Sequence, residues 1–303
     1  MLYLFMRPTF KFKTFAATGM LFMLAAATAL CQQITFASKP EVFMPNLVST
    51  KNADVKLTFS PDGKKMLWGG IDWIKDKKDM DIWQSTKVRG KWTKPERVSF
   101  DSDSNDFDPF FSPDGKGVYF FSNRPGGFGG DDIYFSAYNK ATGTFGDAVN
   151  IGDRINTKGN EWAPITNQSA TLIIFASNGH GGFGGEDLFA APILPDGFGA
   201  PVNLGPGING ADDDFDAVIL PDNSLVFTSS RDSKEQNASL YISYKKDNDY
   251  TAPVKLPAQI NSMEFWTFGP SVNFNQPGYL YFSAHLANSV GRTDIYRVKY
   301  TVK

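Results

Sequence analysis

Residues 60–68 read SPDGKKMLW and residues 112–120 read SPDGKGVYF, so one short unit occurs twice with the same turn and the same closing aromatic position. That aromatic position returns along the chain at spacings of 52, 55, 52 and 55 residues. Its five occurrences are Trp68, Phe120, Phe175, Phe227 and Phe282. Self-similarity at a period of this length indicates a repeat architecture.

A second marker confirms the period independently. It consists of a short polar residue, an aliphatic residue and an aromatic residue, and its spacings are 51, 55, 52 and 55. The five copies begin at Asp81, Asp132, Asp187, Ser239 and Asp294. Because the spacings of the two markers vary in the same way along the chain, the sequence predicts five structural repeats.

Each repeat divides into four short strands, for which residues 107–150 serve as the example. Strands are predicted at 109–112, 118–122, 132–138 and 147–151, with the turn Pro113-Asp114-Gly115 between the first two. Proline and glycine supply the backbone angles that such a turn requires. Four antiparallel strands in a repeat of this length are typical of a propeller blade. The predicted fold is therefore an all-β, five-bladed β-propeller.

The two ends of the chain predict how the ring closes. After Tyr296 only seven residues remain, too few for a fourth strand in the last blade. Residues 38–43 (SKPEVF) resemble the fourth-strand segment at 93–98 (TKPERV), so they are predicted to complete that blade. Closure of this kind removes open sheet edges. The predicted blades are 51–98, 99–150, 151–203, 204–255 and 256–303.

Residues 1–31 have the layout of a secretory signal peptide. Arg7, Lys11 and Lys13 precede an uncharged apolar run over 15–30. Cleavage after Cys31 would leave a mature propeller domain, 32–303, that contains no cysteine and no transmembrane segment. A lipid anchor on Cys31 and an uncleaved membrane anchor remain alternatives. The prediction is a periplasmic or secreted protein associated with the cell envelope.

The repeat is similar to that of a known family. The pattern SPDGK, then YFFSNRPGGFGG, then DDIYFS resembles the TolB-type, WD-like β-propeller repeat of exported bacterial proteins, including the repeats found beside OmpA-like domains. The likeness covers about 38–303 and weakens in the last two repeats. It implies an envelope-associated propeller that binds other proteins or cell-wall material. Fold alone does not determine function.

Composition removes several function classes. The formal net charge is −2, which disfavours a nucleic-acid binder. One cysteine and two histidines leave no multi-cysteine or three-histidine metal site, so no cofactor or metal is predicted. Calcium binding by one acidic loop is the alternative, because hard cations take several oxygen ligands. Its candidate ligands are Asp101, Asp103, Asn105 and Asp106.

The predicted binding surface is the face that carries the Gly-rich hairpin loops. The features that recur in every blade, such as the acid that opens most first strands, are interpreted as serving the fold. The informative residues are those that break the repeat or that the loops present. They are Trp73, Arg124, Phe128, His180, Phe183, Arg231, Trp266, His285 and Arg292. Tryptophan and arginine are common interface anchors. The main hypothesis is a monomeric, non-enzymatic binding module for an envelope protein or a wall polysaccharide.

The alternative hypothesis is a glycan-cleaving enzyme. Asp108 and Asp216 open first strands near the axis, where the other blades have Lys56, Ala163 and Gly269. Glycoside hydrolases need two carboxyl groups about 5 to 9.5 Å apart, and these two are the best pair available. The sequence has no G-x-S-x-G motif and no cysteine nucleophile in the mature chain.

Overall fold

The strands of this chain form five separate antiparallel sheets arranged as a β-propeller. The computed structural model describes residues 33–37, 39–72, 79–232, 237–247 and 249–303. Every regular element in these ranges is a strand, and residues 32–303 form one compact unit. No helix in the described part of the chain has the length and apolarity needed to cross a membrane.

The first two blades follow the chain directly outward from the axis. Blade 1 contains Ala53–Phe59, Lys65–Ile71, Met80–Val88 and two short outer strands, Lys91–Trp92 and Glu96–Arg97. Blade 2 contains Asp106–Phe111, Gly117–Ser122, Asp132–Asn139 and Thr144–Asn150. Successive strands pair with each other, except that Glu96–Arg97 of blade 1 pairs with Met80–Val88 and not with Lys91–Trp92. The outer strand of blade 2 begins three residues before its predicted start.

Blades 3 and 4 repeat the same order. Blade 3 contains Glu161–Thr166, Leu172–Ser177, Asp187–Leu194, Gly197–Phe198 and Val202–Asn203. Blade 4 contains Asp214–Ile219, Leu225–Ser229, Ser239–Ser243 and Val254–Lys255, and a small hairpin of Lys245–Lys246 and Asp249–Tyr250 lies outside its sheet. The five-bladed architecture predicted from the repeat is confirmed.

Blade 5 combines the two ends of the chain. Its own strands are Thr267–Val272, Tyr279–Ala284 and Asp294–Val302. The N-terminal segments Ile34–Phe36 and Glu41–Val42 both pair antiparallel with the last of these. The closing strand predicted at 38–43 is therefore present as Glu41–Val42, and Ile34–Phe36, which was not predicted, pairs with the same strand. The first strand of every blade also contacts the first strand of the next, and the fifth contacts the first, so the ring is closed.

The aromatic residues that mark the repeat form the core between the strands. Phe120, Phe175 and Phe227 are each 0% exposed. Each pairs directly across the sheet with the aromatic of the third strand, for example Phe120 with Tyr134 and Phe175 with Phe189. The repeat is visible in the sequence because every blade buries the same aromatic pair.

A buried side chain also ties each blade to the loop that leaves it. Asn209 accepts a hydrogen bond from Leu188 N (2.9 Å) and donates one to Leu188 O (2.9 Å). Asn156 and Asn261 do the same in their own blades. In blade 1 the position is Asp101, which accepts from Ile82 N.

Candidate functional site

The five innermost strands share a bulge that turns one residue towards the channel on the propeller axis. The register of each first strand shifts at this point, and the residue there has a positive φ in every blade. The five positions are Lys56, Asp108, Ala163, Asp216 and Gly269. Bulges are common beside active sites because they re-aim a side chain. The bulge and its positive φ are common to all five blades, whereas the side chain at that position differs from blade to blade.

Three charged residues meet in this channel although they come from three blades. Lys56 Nζ lies 2.9 Å from Asp216 Oδ1, and Asp216 Oδ2 accepts a hydrogen bond from Gly269 N at 3.0 Å. The side chains of both ion-pair partners are nearly inaccessible to solvent, at 2% and 4% exposed. An ion pair excluded from water needs such additional hydrogen bonds to offset desolvation.

Asp108 is in a different electrostatic state from Asp216. Burial raises the pKa of Asp108 well above its usual range, and the negative charge of Asp216 raises it further, while Lys56 acts in the opposite direction. Burial therefore favours the protonated form of Asp108, and the neighbouring Asp216 is ion-paired with Lys56. The sequence-predicted acid pair is brought into one axial site, with Lys56 as its third member.

Two further acids lie at the mouth of the channel and were missed by sequence reasoning. Trp162 Nε1 donates a hydrogen bond to Asp131 Oδ2 at 2.8 Å. Burial raises the pKa of Glu186 to about 7, with added contributions from the charges of Asp213 and Asp216. Both acids directly precede a third-strand aspartate, a position that is Met, Ala or Thr in the other blades. That difference between repeats was the available signal.

An aromatic wall borders the mouth on the side of blades 4 and 5. The ring of Trp266 lies 5.8 Å from that of Phe215 and 6.3 Å from that of Phe268. Trp266 is 45% exposed, so one part of its indole surface is open to solvent. Of the predicted binding residues, Trp266 is the one whose ring packs against first-strand residues next to the bulges, Phe215 and Phe268.

Three other predicted binding residues are engaged inside their own blades. The Arg124 guanidinium pairs with Asp106 at 2.5 Å and lies 5.0 Å from the ring centroid of Tyr134. Arg231 pairs with Asp214 in the same way at 2.6 Å. His180 takes the corresponding place in blade 3, where Nε2 lies 2.7 Å from the backbone oxygen of Ile155.

The remaining predicted residues are spread over loops. Phe128 and Phe183 are 48% and 52% exposed on the Gly-rich hairpin loops of blades 2 and 3. His285 Nδ1 lies 3.1 Å from the backbone oxygen of Arg292, in a blade 5 loop. Trp73 lies outside the described residues.

The candidate calcium loop is held by side-chain contacts of its own. Asp101 pairs with Arg97, and Asp106 accepts hydrogen bonds from Ser102 and Arg124. Among the residues that the structure describes, no group of three His, Cys, Asp or Glu side chains is placed to hold a metal ion.

Comparison with known proteins identifies the fold without identifying a family. No family model matches the sequence, and no curated protein matches it. An endo-arabinase from Bacteroides thetaiotaomicron is similar in structure with a TM-score of 0.55 and 14% identity, covering 87% of this chain and 99% of its own. A thermostable family-43 glycoside hydrolase has a TM-score of 0.53 and 11% identity, with coverages of 85% and 91%.

An α-L-arabinofuranosidase from Lactobacillus brevis is a third similar structure. Its TM-score is 0.51 and its identity 14%, with 84% of this chain and 92% of its own chain covered. Likenesses at this level of identity show the fold. The chain is a five-bladed β-propeller whose axial channel holds two aspartates and a lysine.

Proposed function

We propose that this propeller hydrolyses glycosidic bonds of a polysaccharide that binds at the mouth of its axial channel. The observation that carries the proposal is the unequal state of two axial carboxyl groups. Burial and the neighbouring Asp216 raise the pKa of Asp108, whereas Asp216 is ion-paired with Lys56. Pairs of acids whose surroundings give them different pKa values are typical of acid–base catalysis in glycosidases.

Glu186 is the group that would donate a proton to the substrate. It is half-buried at the channel mouth, and its pKa of about 7 leaves it protonated in mildly acidic and neutral solution. A protonated carboxyl group can donate to the leaving glycosidic oxygen as the bond breaks; water then bonds to the anomeric carbon, and the proton that it releases returns to Glu186. The Asp216 carboxylate supplies negative charge towards the positive, oxocarbenium-like sugar of the transition state.

The aromatic wall supplies the binding surface for sugar rings. Trp266 offers an exposed indole beside Phe215 and Phe268, and Trp162 is half-buried on the opposite side of the mouth. Such rings pack against the apolar faces of sugars while the acids bond to hydroxyl groups. The endo-arabinase and the α-L-arabinofuranosidase with the same fold support arabinose-containing polysaccharides as the first substrates to test.

The test is a hydrolysis assay with residues 32–303. Arabinan, arabinoxylan and peptidoglycan glycan strands are incubated with the protein, and new reducing ends are counted. We expect activity on at least one substrate and a loss of about 10²-fold or more in Glu186→Gln and in Asp216→Asn. Asp147→Asn, which changes an exposed acid of blade 2, is the matched control. Full activity in both site variants would contradict the proposal.

A second candidate function is glycan or protein binding without catalysis in the cell envelope. The observation in its favour is that Asp108 and Asp216 are only 8% and 3% exposed, so a substrate meets Glu186 before it meets either. Retention on a polysaccharide, or capture of one envelope protein, without any cleavage would favour this function. Trp266→Ala is expected to abolish glycan retention in either case, whereas Glu186→Gln abolishes only cleavage.

A further inference from the structure

Blades 2 and 4 each hold a guanidinium group over a pair of aromatic rings and against a buried acid. In blade 2 the Arg124 guanidinium carbon lies 5.3 Å from the ring centroid of Phe120 and 5.0 Å from that of Tyr134, and it pairs with Asp106. Arg231 lies at 5.3 and 5.2 Å from its two rings in blade 4 and pairs with Asp214. Stacking and a charged pair are the two interactions that favour arginine over lysine.

Blade 1 has the rings and the acid of this arrangement without the arginine. Trp68 pairs across the sheet with Trp83, in the register that joins Phe120 to Tyr134. Asp54 opens the first strand and accepts hydrogen bonds from Thr50 N and Thr50 Oγ1, as Asp106 does from Ser102. The residue four positions after the aromatic is arginine in blades 2 and 4, and it is Asp72 in blade 1.

The place of the missing arginine is a cavity of about 190 Å³, which we call the blade 1 slot. Its walls include both tryptophans, and three carboxyl groups and the side chain of Asn52 also line it. The carboxyl groups belong to Asp54, Asp72 and Asp81. Trp83 and Pro95 are half-buried at its edge, so the slot opens to solvent. Gly70 occupies the strand position that is Ser122 in blade 2, which leaves room for the Trp83 ring directly over the backbone.

One buried polar atom in the slot has no hydrogen-bond partner among the described residues, and one buried acid lacks the arginine that blades 2 and 4 provide. Asn52 Oδ1 is buried and has no hydrogen-bond partner within the described residues. Asp54 is 4% exposed and forms no ion pair in the part of the chain that the structure describes, whereas Asp106 and Asp214 each have an arginine. A buried acceptor without a donor is costly, so a donor from outside the blade would stabilise Asn52 Oδ1. Asp54 already accepts hydrogen bonds from Thr50 and Trp68 and would gain a counter-charge.

We propose that the blade 1 slot binds a guanidinium group, supplied by an arginine side chain of a partner or by a small guanidinium compound. The ligand would lie against the Trp68 and Trp83 rings, pair with Asp54 and donate a hydrogen bond to Asn52 Oδ1. Arg124 and Arg231 are the internal models for this complex, because the same chain already binds two guanidinium groups in this way. The slot is separate from the axial channel and its proposed activity.

The experiment measures binding of two probes to residues 32–303 by calorimetry and tryptophan fluorescence. One probe is N-acetyl-L-arginine amide, and the other is the peptide Gly-Ser-Gly-Arg-Gly-Ser. Their lysine counterparts are the matched ligands. We expect the arginine probes to bind and the lysine probes to bind about tenfold more weakly, because lysine lacks the planar fork. Tighter binding of the peptide than of the amide would indicate a protein partner, and equal binding a small ligand.

Two variants test the location of the site. Asp72→Arg places an arginine where blades 2 and 4 have theirs, so it should fill the slot, abolish probe binding and raise the melting temperature. Asp54→Asn keeps the acceptor for Thr50 while removing the charge, and it should weaken binding about tenfold, as expected for a charge-assisted bond. Asp147→Asn serves as the exposed control. The proposal is overturned if neither arginine probe binds at millimolar concentration, or if both variants bind as the wild type does.

Discussion

Lys56 Nζ lies 2.9 Å from Asp216 Oδ1 across the axis of the propeller, although the two residues are 160 positions apart in the sequence. This ion pair joins blade 1 to blade 4, which are not neighbours in the ring. Asp108 of blade 2 experiences the charge of both partners. The three side chains thus connect three blades at the point where the first strands converge.

Removal of Lys56 should destabilise the whole ring. Lys56→Met leaves Asp216 buried without its counter-charge, which typically costs about 3 to 5 kcal/mol in the free energy of unfolding. Chemical denaturation measures the change. The double variant Lys56→Met with Asp216→Leu removes both charges and should recover a large part of that loss.

Lys116→Met is the matched control for that experiment. Lys116 lies 3.0 Å from Asp114, but its side chain is 80% exposed, and such pairs contribute less than about 1 kcal/mol. If Lys56→Met lowered the free energy of unfolding no more than Lys116→Met does, the axial ion pair would have no structural importance.

Asp54 should make the stability of the protein depend on pH. Burial raises the pKa of Asp54 to about 7 in the folded state, partly opposed by hydrogen bonds from Thr50 and Trp68. The unfolded value is about 3.9. Between these values the folded state keeps a proton that the unfolded state releases, so stability is lost as pH rises through this window.

The measurement is the free energy of unfolding of the wild type and of Asp54→Asn from pH 4 to pH 8. The stability of the wild type relative to the variant should fall by up to about 1.4 kcal/mol per pH unit up to pH 7 and then level off. A difference that stays constant over this range would show that Asp54 has no raised pKa.

Arg124 should contribute to stability whether or not it also contacts a partner. Arg124→Ala removes the pair with Asp106, which is 0% exposed, and the stacking on Phe120 and Tyr134. We expect a loss of about 3 kcal/mol. Arg124→Lys keeps the charge without the planar fork and should recover less than half of that loss.

Thermal or chemical unfolding measures both Arg124 variants, with the exposed Arg154→Ala as the control. A wild-type stability in Arg124→Ala, together with loss of binding to an envelope partner, would assign Arg124 to the binding surface alone.

Asn209 should be essential to the connection between blades 3 and 4. Asn209→Ala leaves the backbone N–H and C=O of Leu188 buried without partners, at about 1 to 3 kcal/mol each. Asn209→Asp keeps the acceptor and loses the donor, so its stability should lie between those of the wild type and the alanine variant.

Asp101 provides the internal precedent for that aspartate variant, because it accepts from Ile82 N in blade 1 and burial raises its pKa to about 7. Asn209→Asp should therefore be more stable at pH 5 than at pH 8, as judged by unfolding at both values. Equal destabilisation by alanine and aspartate at pH 5 would contradict this role of the side-chain acceptor.

The fold of this protein was determined by sequence alone in most respects. The aromatic at Phe120 and its equivalents recurs because each blade must bury the same cross-strand pair, so the number of blades and their order are written in a local, repeated pattern. The closing strand was also visible, because residues 38–43 resemble a fourth strand. The additional strand Ile34–Phe36 depends on pairing with Asp294–Val302 and was not visible.

The sites depended on the tertiary structure. Asp108 and Asp216 stood out as breaks in the repeat, but their partner Lys56 was identified only when ring closure brought blades 1 and 4 to one axis. Arg124 and Arg231 resembled free surface residues until the packing placed each of them over a pair of aromatic rings, and only then did Asp72 mark a missing arginine. The repeat pattern lies within each blade's own sequence. Contacts across the ring depend on how the ring closes and on where each bulge turns its side chain, and the sequence of one blade does not contain that information.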